Sequence, residues 1–143
     1  MNTDEERQYP LATVGCIIVN FKNEILLLKS HKWSHLYSIP GGKIHYGESM
    51  IQALKREILE ETALNIDNII FVMAQDCIEH HEFYKKQHFI LLDFIAYTKD
   101  TTVILNEEAQ EYLWIDMKRS LQLPLNEPTK ILIEEIIRQK TLL

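Results

Sequence analysis

Cysteine, glycine and proline are all scarce in this chain, at two, four and four of 143 residues. Two cysteines cannot staple a small secreted framework. Cys16 and Cys77 each lie in or beside an apolar, strand-like run, so both are expected to be buried free thiols in a cytoplasmic protein. The low glycine and proline content excludes a collagen-like or low-complexity chain, and no repeat or linker divides it. Long apolar runs are missing too. A stretch such as Leu11 to Val19 falls far short of the roughly 20 residues a membrane span needs, so no membrane partner is expected. The opening residues, Met1 to Pro10, are acidic and polar and show no secretory or mitochondrial targeting pattern. Positive charge is in deficit, with 15 Lys and Arg against 21 Asp and Glu, a net charge of −6 and a pI near 5.5. That balance argues against long nucleic acid as a partner. An acidic protein that handles small anions needs a metal ion or a few well-placed cations.

Against these absences stand 46% hydrophobic and 25% charged residues, the balance of one ordinary globular domain, here taken as residues 8–143. Leu11 to Asn20 is apolar and β-branched and predicts a buried strand, with a tight turn at Phe21–Glu24 and a second strand from Ile25 through Leu28. Further strands are predicted at Ile69–Ala74, His88–Tyr97 and Tyr112–Ile115. Ser49 to Thr62 predicts a helix: Ser49 and Gln52 have capping-box spacing, and Ile51, Leu54 and Ile58 repeat at helical period. A second helix is predicted at Glu127–Gln139. Strands mixed with well-separated helices point to an α/β sandwich.

The first helix carries Arg56, Glu57, Glu60 and Glu61. Its three carboxylates fall within an arc of roughly 100°. Such a cluster reads either as a solvated acidic face or as a site for a hard divalent cation, which wants oxygen ligands. Upstream, Pro40-Gly41-Gly42 disfavours regular structure and lets backbone come close to a ligand. Gly42, Glu48 and the run Arg56-Glu57-Ile58-Leu59-Glu60-Glu61-Thr62-Ala63-Leu64 together closely resemble the Nudix box, the signature of the Nudix hydrolases, over residues 42–64. Six of its seven fixed positions match; Ala63 departs, standing where the family usually has glycine. The likeness to small MutT-like members extends over most of the chain, including Asn106 to Trp114.

The resemblance implies a Nudix-type α/β/α sandwich with a mixed sheet and a loop–helix–loop, and cleavage of a phosphoanhydride with Mg²⁺, or alternatively Mn²⁺, as cofactor. It also implies metal ligands at Glu57, Glu61 and Glu60 with the Gly41 carbonyl, Arg56 orienting Glu57 or Glu60, and Glu48 supporting Arg56. Glu108 is the implied general base, with Glu107 and Glu111 as competitors. Substrate contacts are expected at Gly42, at Lys29, with His31 and Lys32 nearby, and at Asn126. Asn126 reads equally as the N-cap of the last helix, ahead of Pro128. Trp33, Tyr37, Phe83 and Tyr84 could stack on a base or simply pack. His80-His81 suggests a ligand pair, but adjacent strand residues point apart, which favours a solvated loop. Features of other substrate groups are missing: no proline lies between Pro40 and Pro124, and no arginine between Arg7 and Arg56. Elimination leaves a nucleoside triphosphate cut to monophosphate and pyrophosphate. A hydrolase of nucleoside diphosphate derivatives such as ADP-ribose or a nucleotide sugar, and a non-catalytic nucleotide-binding module, are the alternatives. A small-molecule nucleotide is the expected partner, and a homodimer is left open.

Overall fold

A computed structural model describes residues 9–139. Residues 1–8 and 140–143, and with them the reading of the targeting segment and the outer ends of the domain, lie outside the described residues. The strands are β1 (Leu11–Val19), β2 (Glu24–Lys29), β3 (Tyr37–Ser38), β4 (Gly41–Lys43), β5 (Asp67–Ile78), β6 (His88–Tyr97) and β7 (Glu111–Asp116). The helices are α1 (Met50–Thr62), α2 (Met117–Ser120) and α3 (Glu127–Gln139), with a 3₁₀ turn at His31–Trp33.

β1 is the central strand. It pairs parallel with β6 along its whole length, Leu11 facing Phe89 and Val19 facing Tyr97, and antiparallel with β2 and β4. β7 and β3 add antiparallel to β2, and β5 to β6, so the sheet is mixed. The hairpin between β1 and β2 turns on Asn20, whose Oδ1 accepts from the N–H groups of Lys22 and Glu24, while Asn23 takes a left-handed conformation.

Strand alternation sorts the apolar residues into two layers. Val14, Cys16 and Ile18 of β1, Leu26 and Leu28 of β2, and Phe94 and Ala96 of β6 pack against Ala53, Leu54 and Ile58 of α1. Ile17, Val19, Ile25, Leu27 and Ile95 point the other way, onto Leu132, Ile133 and Ile136 of α3. Burial on both faces explains why β1 and β2 read as unbroken apolar runs. The architecture is the α/β/α sandwich expected. Cys16 and Cys77 are buried and free, as expected.

The structure departs from the predicted elements at four places. β5 runs from Asp67 to Ile78, well beyond Ile69–Ala74, because an edge strand tolerates the polar residues at its ends. β3, β4 and α2 have no periodicity of their own. β3 and β4 exist by pairing with β2 and β1, and α2 is a single turn capped by Asp116, which accepts from the Arg119 N–H. None of the helices described is long and apolar enough to cross a membrane.

Candidate active site

α1 is fixed at both ends. Ser49 Oγ accepts from the Gln52 N–H at 3.1 Å and Gln52 Oε1 accepts from the Ser49 N–H at 2.8 Å, the reciprocal pair the spacing predicted. At the other end Ala63 adopts φ 64°, ψ 16° and donates its N–H to the Leu59 carbonyl at 2.9 Å. An alanine therefore holds the left-handed capping position that glycine usually fills. The rotation so fixed buries Ala53, Leu54 and Ile58 and turns Glu57 and Glu61 towards β4.

Arg56 ties the loop before α1 to the helix. Its Nε and Nη2 donate to the two carboxylate oxygens of Glu48 at 2.6 and 2.9 Å, in bidentate fashion. Nη1 donates to Glu57 at 2.8 Å and to Glu60 at 3.4 Å, and Nη2 also reaches the Lys43 carbonyl at 3.0 Å. The Arg56 hydrogen bonds, helped by the His45 N–H, hold the Glu48 carboxyl down at about 2. The hydrogen bonds that Arg56 donates to Glu48 and Glu57 hold it well above its usual range against the opposing effect of burial.

Glycine brings strand and helix together. A Cβ on Gly41 would meet the Val14 carbonyl oxygen at 2.0 Å, and one on Gly42 would meet the Glu57 carboxylate at 2.5 Å. The bare backbone lets the Gly41 N–H donate to Glu61 Oε2 at 3.1 Å. Glu61 is only 7% exposed. Burial first, then the Glu57 carboxylate with which it shares a hydrogen bond, pushes its pKa up to about 9, while the Gly41 N–H pulls the other way. Two touching carboxylates beside glycine backbone form an all-oxygen donor set. Mg²⁺ fits such a set, since it takes one or two carboxylates and fills its shell with water and phosphate oxygens.

These groups open onto a cleft of about 380 Å³, a size typical of small-molecule sites. Across it, Glu108 accepts from Lys32 Nζ at 2.5 Å, and its backbone N–H is held by Asn106 Oδ1. Partial burial lowers the Lys32 pKa, but the Glu108 hydrogen bond and charge outweigh this and leave it raised.

Of the residues singled out in the sequence, Gly41, Gly42, Glu57, Glu61, Glu108 and Asn126 line the cleft. Glu60 does not; its side chain is 55% exposed and, among the described residues, pairs only with Arg56. Lys29 also stays outside, with its ammonium 5.1 Å from the Tyr37 ring centre, and Lys32 and Lys43 border the cleft in its place. Asn126 is buried and does cap α3, its Oδ1 accepting from the Thr129 N–H at 3.0 Å. Trp33 and Phe83 meet edge to face at 4.8 Å on the cleft wall, whereas Tyr37 packs in the α3 layer. His80 and His81 lie beyond the end of β5 with rings stacked at 4.7 Å; His80 bonds Glu127 and is mostly covered. Sequence reasoning passed over Asp93 and Gln75. A lone aspartate inside the apolar run Phe89–Ala96 is the mark that betrays the first.

A mixed sheet between two helical layers, with an acidic helix packed on a glycine strand beside a small cleft, is the build of an enzyme for anionic small molecules. Comparison with known proteins makes this specific: the NUDIX domain model matches residues 10–136, and the chain belongs to the Nudix hydrolase family, whose members act on nucleotide derivatives. It is 35% identical over 111 residues to an 8-oxo-dGTP diphosphatase of Buchnera aphidicola subsp. Schizaphis graminum (strain Sg), covering 76% of this chain and 78% of that protein. It is 30% identical over 129 residues to an RNA pyrophosphohydrolase of Ruthia magnifica subsp. Calyptogena magnifica, covering 78% and 70% of the two chains. Among solved structures, a MutT protein from Methanosarcina mazei Go1 superimposes with a TM-score of 0.77 at 24% identity, over 93% of this chain and 97% of that one.

Proposed function

We propose that this chain hydrolyses a nucleoside triphosphate between its α and β phosphates, giving nucleoside monophosphate and pyrophosphate, with Mg²⁺ or alternatively Mn²⁺ as cofactor. The observation that carries the reading is the Glu57–Glu61 pair against Gly41 and Gly42, Glu61 buried and Glu57 half-buried: two touching carboxyls that resist ionising together, and that a divalent cation would neutralise. When bound, the cation supplies electrophilic stabilisation of the phosphate oxygens. Arg56 keeps Glu57 turned inward through its 2.8 Å contact. Glu108 is the general base: it borders the cleft while Glu107 and Glu111 do not. Lys32 holds Glu108 through an ion pair at 2.5 Å. An arriving phosphate competes for that ammonium and frees the carboxylate to take a proton from water. Similarity to the Buchnera 8-oxo-dGTP diphosphatase favours a triphosphate over a diphosphate derivative.

The test is a panel of nucleoside triphosphates, ADP-ribose and nucleotide sugars incubated with purified protein and Mg²⁺, reading pyrophosphate and phosphate release separately. Triphosphates should yield pyrophosphate. Preferential turnover of ADP-ribose or a nucleotide sugar would replace this reading with the diphosphate-derivative one. In the same assay Glu108→Gln should lose kcat by roughly 10²-fold or more, while the Gln variants of Glu107 and Glu111 change it little.

A further inference from the structure

At the far end of the cleft from the paired glutamates lies a carboxylate that the chemistry above does not use. Asp93 of β6 is 4% exposed and borders the cleft. The register places it in one row with Gly41 of β4 and Gly15 of β1. Two strand spacings, about 10 Å, therefore separate it from the glycine that carries Glu61. Neighbouring Ile95 points into the α3 layer and Phe94 into the α1 layer, so Asp93 lies on the α3 side of the sheet, with Asn126. Gln75 of β5 locks it there: Nε2 donates to Asp93 Oδ2 at 2.9 Å and to the Pro128 carbonyl, in the first turn of α3, at 3.0 Å. Among the described residues Gln75 is its only donor, and Oδ1, lying over Gly15 on the cleft wall, accepts from none of them. Ile39, Phe89 and Leu91 form apolar walls around this end. Asn126 commits its Oδ1 to the helix cap, which leaves its Nδ2 as a donor at the same end.

A buried carboxylate with one donor is under-satisfied, and each further N–H it accepts offsets its desolvation. The ligand edge that answers it best presents two N–H groups side by side next to an acceptor. Among the common nucleobases that edge belongs to guanine: N1–H and the 2-amino group for Asp93, and O6 for the Asn126 amide. Adenine and cytosine offer one amino group beside a bare ring nitrogen, and uracil a single N–H. We propose that Asp93, held in place by Gln75, is a specificity-determining residue that selects a guanine-type base. The proposal deepens the nucleotide reading above and rests on it for the orientation of the ligand, base towards Asp93 and phosphates towards Glu57.

Calorimetric binding of GMP, IMP, AMP and CMP to the full chain with Mg²⁺ tests it without catalysis. GMP should bind most tightly, IMP about fivefold more weakly for want of the 2-amino group, and AMP and CMP weaker than GMP by about tenfold or more. Asp93→Asn should cost GMP about tenfold and IMP less, through N1–H alone, while AMP and CMP stay within about threefold, collapsing the preference. Equal affinities for all four in the unmodified protein, or an Asp93→Asn variant that weakens all four alike, would overturn the assignment. The unmodified panel decides alone if the variant does not fold. Pyrophosphate release from GTP is scored separately: selective GMP binding without GTP cleavage sinks the triphosphate reading and leaves the base assignment standing.

Discussion

Glu61 and Asp93 are both buried carboxyls held above the ordinary range, for different reasons. Glu61 is driven up by burial and by Glu57, and so has a use for a cation; Asp93 is driven up to about 6 by burial against the partial relief of Gln75. Glu61→Gln keeps the shape and the hydrogen-bond acceptor but cannot ionise to meet a cation. Steady-state assays at saturating Mg²⁺ should show kcat lowered by roughly 10²-fold or more, and near-normal turnover would remove Glu61 from the ligand set. Asp93 predicts a pH effect on stability. Its folded pKa lies above the unfolded value, so the folded state binds the proton more tightly and stability is lost as pH rises from the ordinary aspartate range through about 6. Asp93→Asn is free of that loss. It should be more stable than the unmodified protein at pH 7.5 by on the order of 2 kcal/mol and no more stable at pH 4, read by urea denaturation at the two values.

At the scale of elements, α1 was legible end to end because its capping box, apolar stripe and carboxylates are local in sequence. The residue that caps its C-terminal end is the exception. Ala63 holds φ 64°, where a side chain costs about 1–2 kcal/mol. Ala63→Gly relieves that strain and loosens the unfolded chain in return, so a net gain of up to about 1 kcal/mol is expected in chemical denaturation, with kcat unchanged. A loss would mean that the alanine methyl is held by packing. β1, β2 and α3 were legible for the same reason as α1, since two buried faces or one apolar stripe leave an unmistakable pattern. β3 and β4 were not, because two or three residues such as Tyr37-Ser38 carry no period and become strands only by pairing with β2 and β1. The site divides in the same way. The Arg56–Glu57–Glu61 cluster is local and was visible. The choice of Lys32 over Lys29 depends on the 3₁₀ turn at His31–Trp33, which swings one ammonium towards Glu108 and leaves the other over Tyr37. Asp93 stayed hidden because its role depends on Gln75 and Pro128, neither near it in sequence.

For the whole molecule, a net charge of −6 opposes the approach of a polyphosphate anion. Screening should therefore help: raising ionic strength from about 20 to about 200 mM at constant free Mg²⁺ should raise kcat/KM by roughly two- to threefold. A fall would indicate that Lys32 and Lys43 dominate the field at the cleft mouth. The pairing of β1 with β6 has a consequence for how the chain is made. Leu11 must meet Phe89 and Val19 must meet Tyr97, so the central strand stays without its longest neighbour until residue 97 has left the ribosome. At about 5–20 residues per second that wait lasts roughly 4–16 s. During it the nascent chain displays an apolar ribbon, Leu11–Val19 with Glu24–Lys29, that resembles the surfaces chaperones hold.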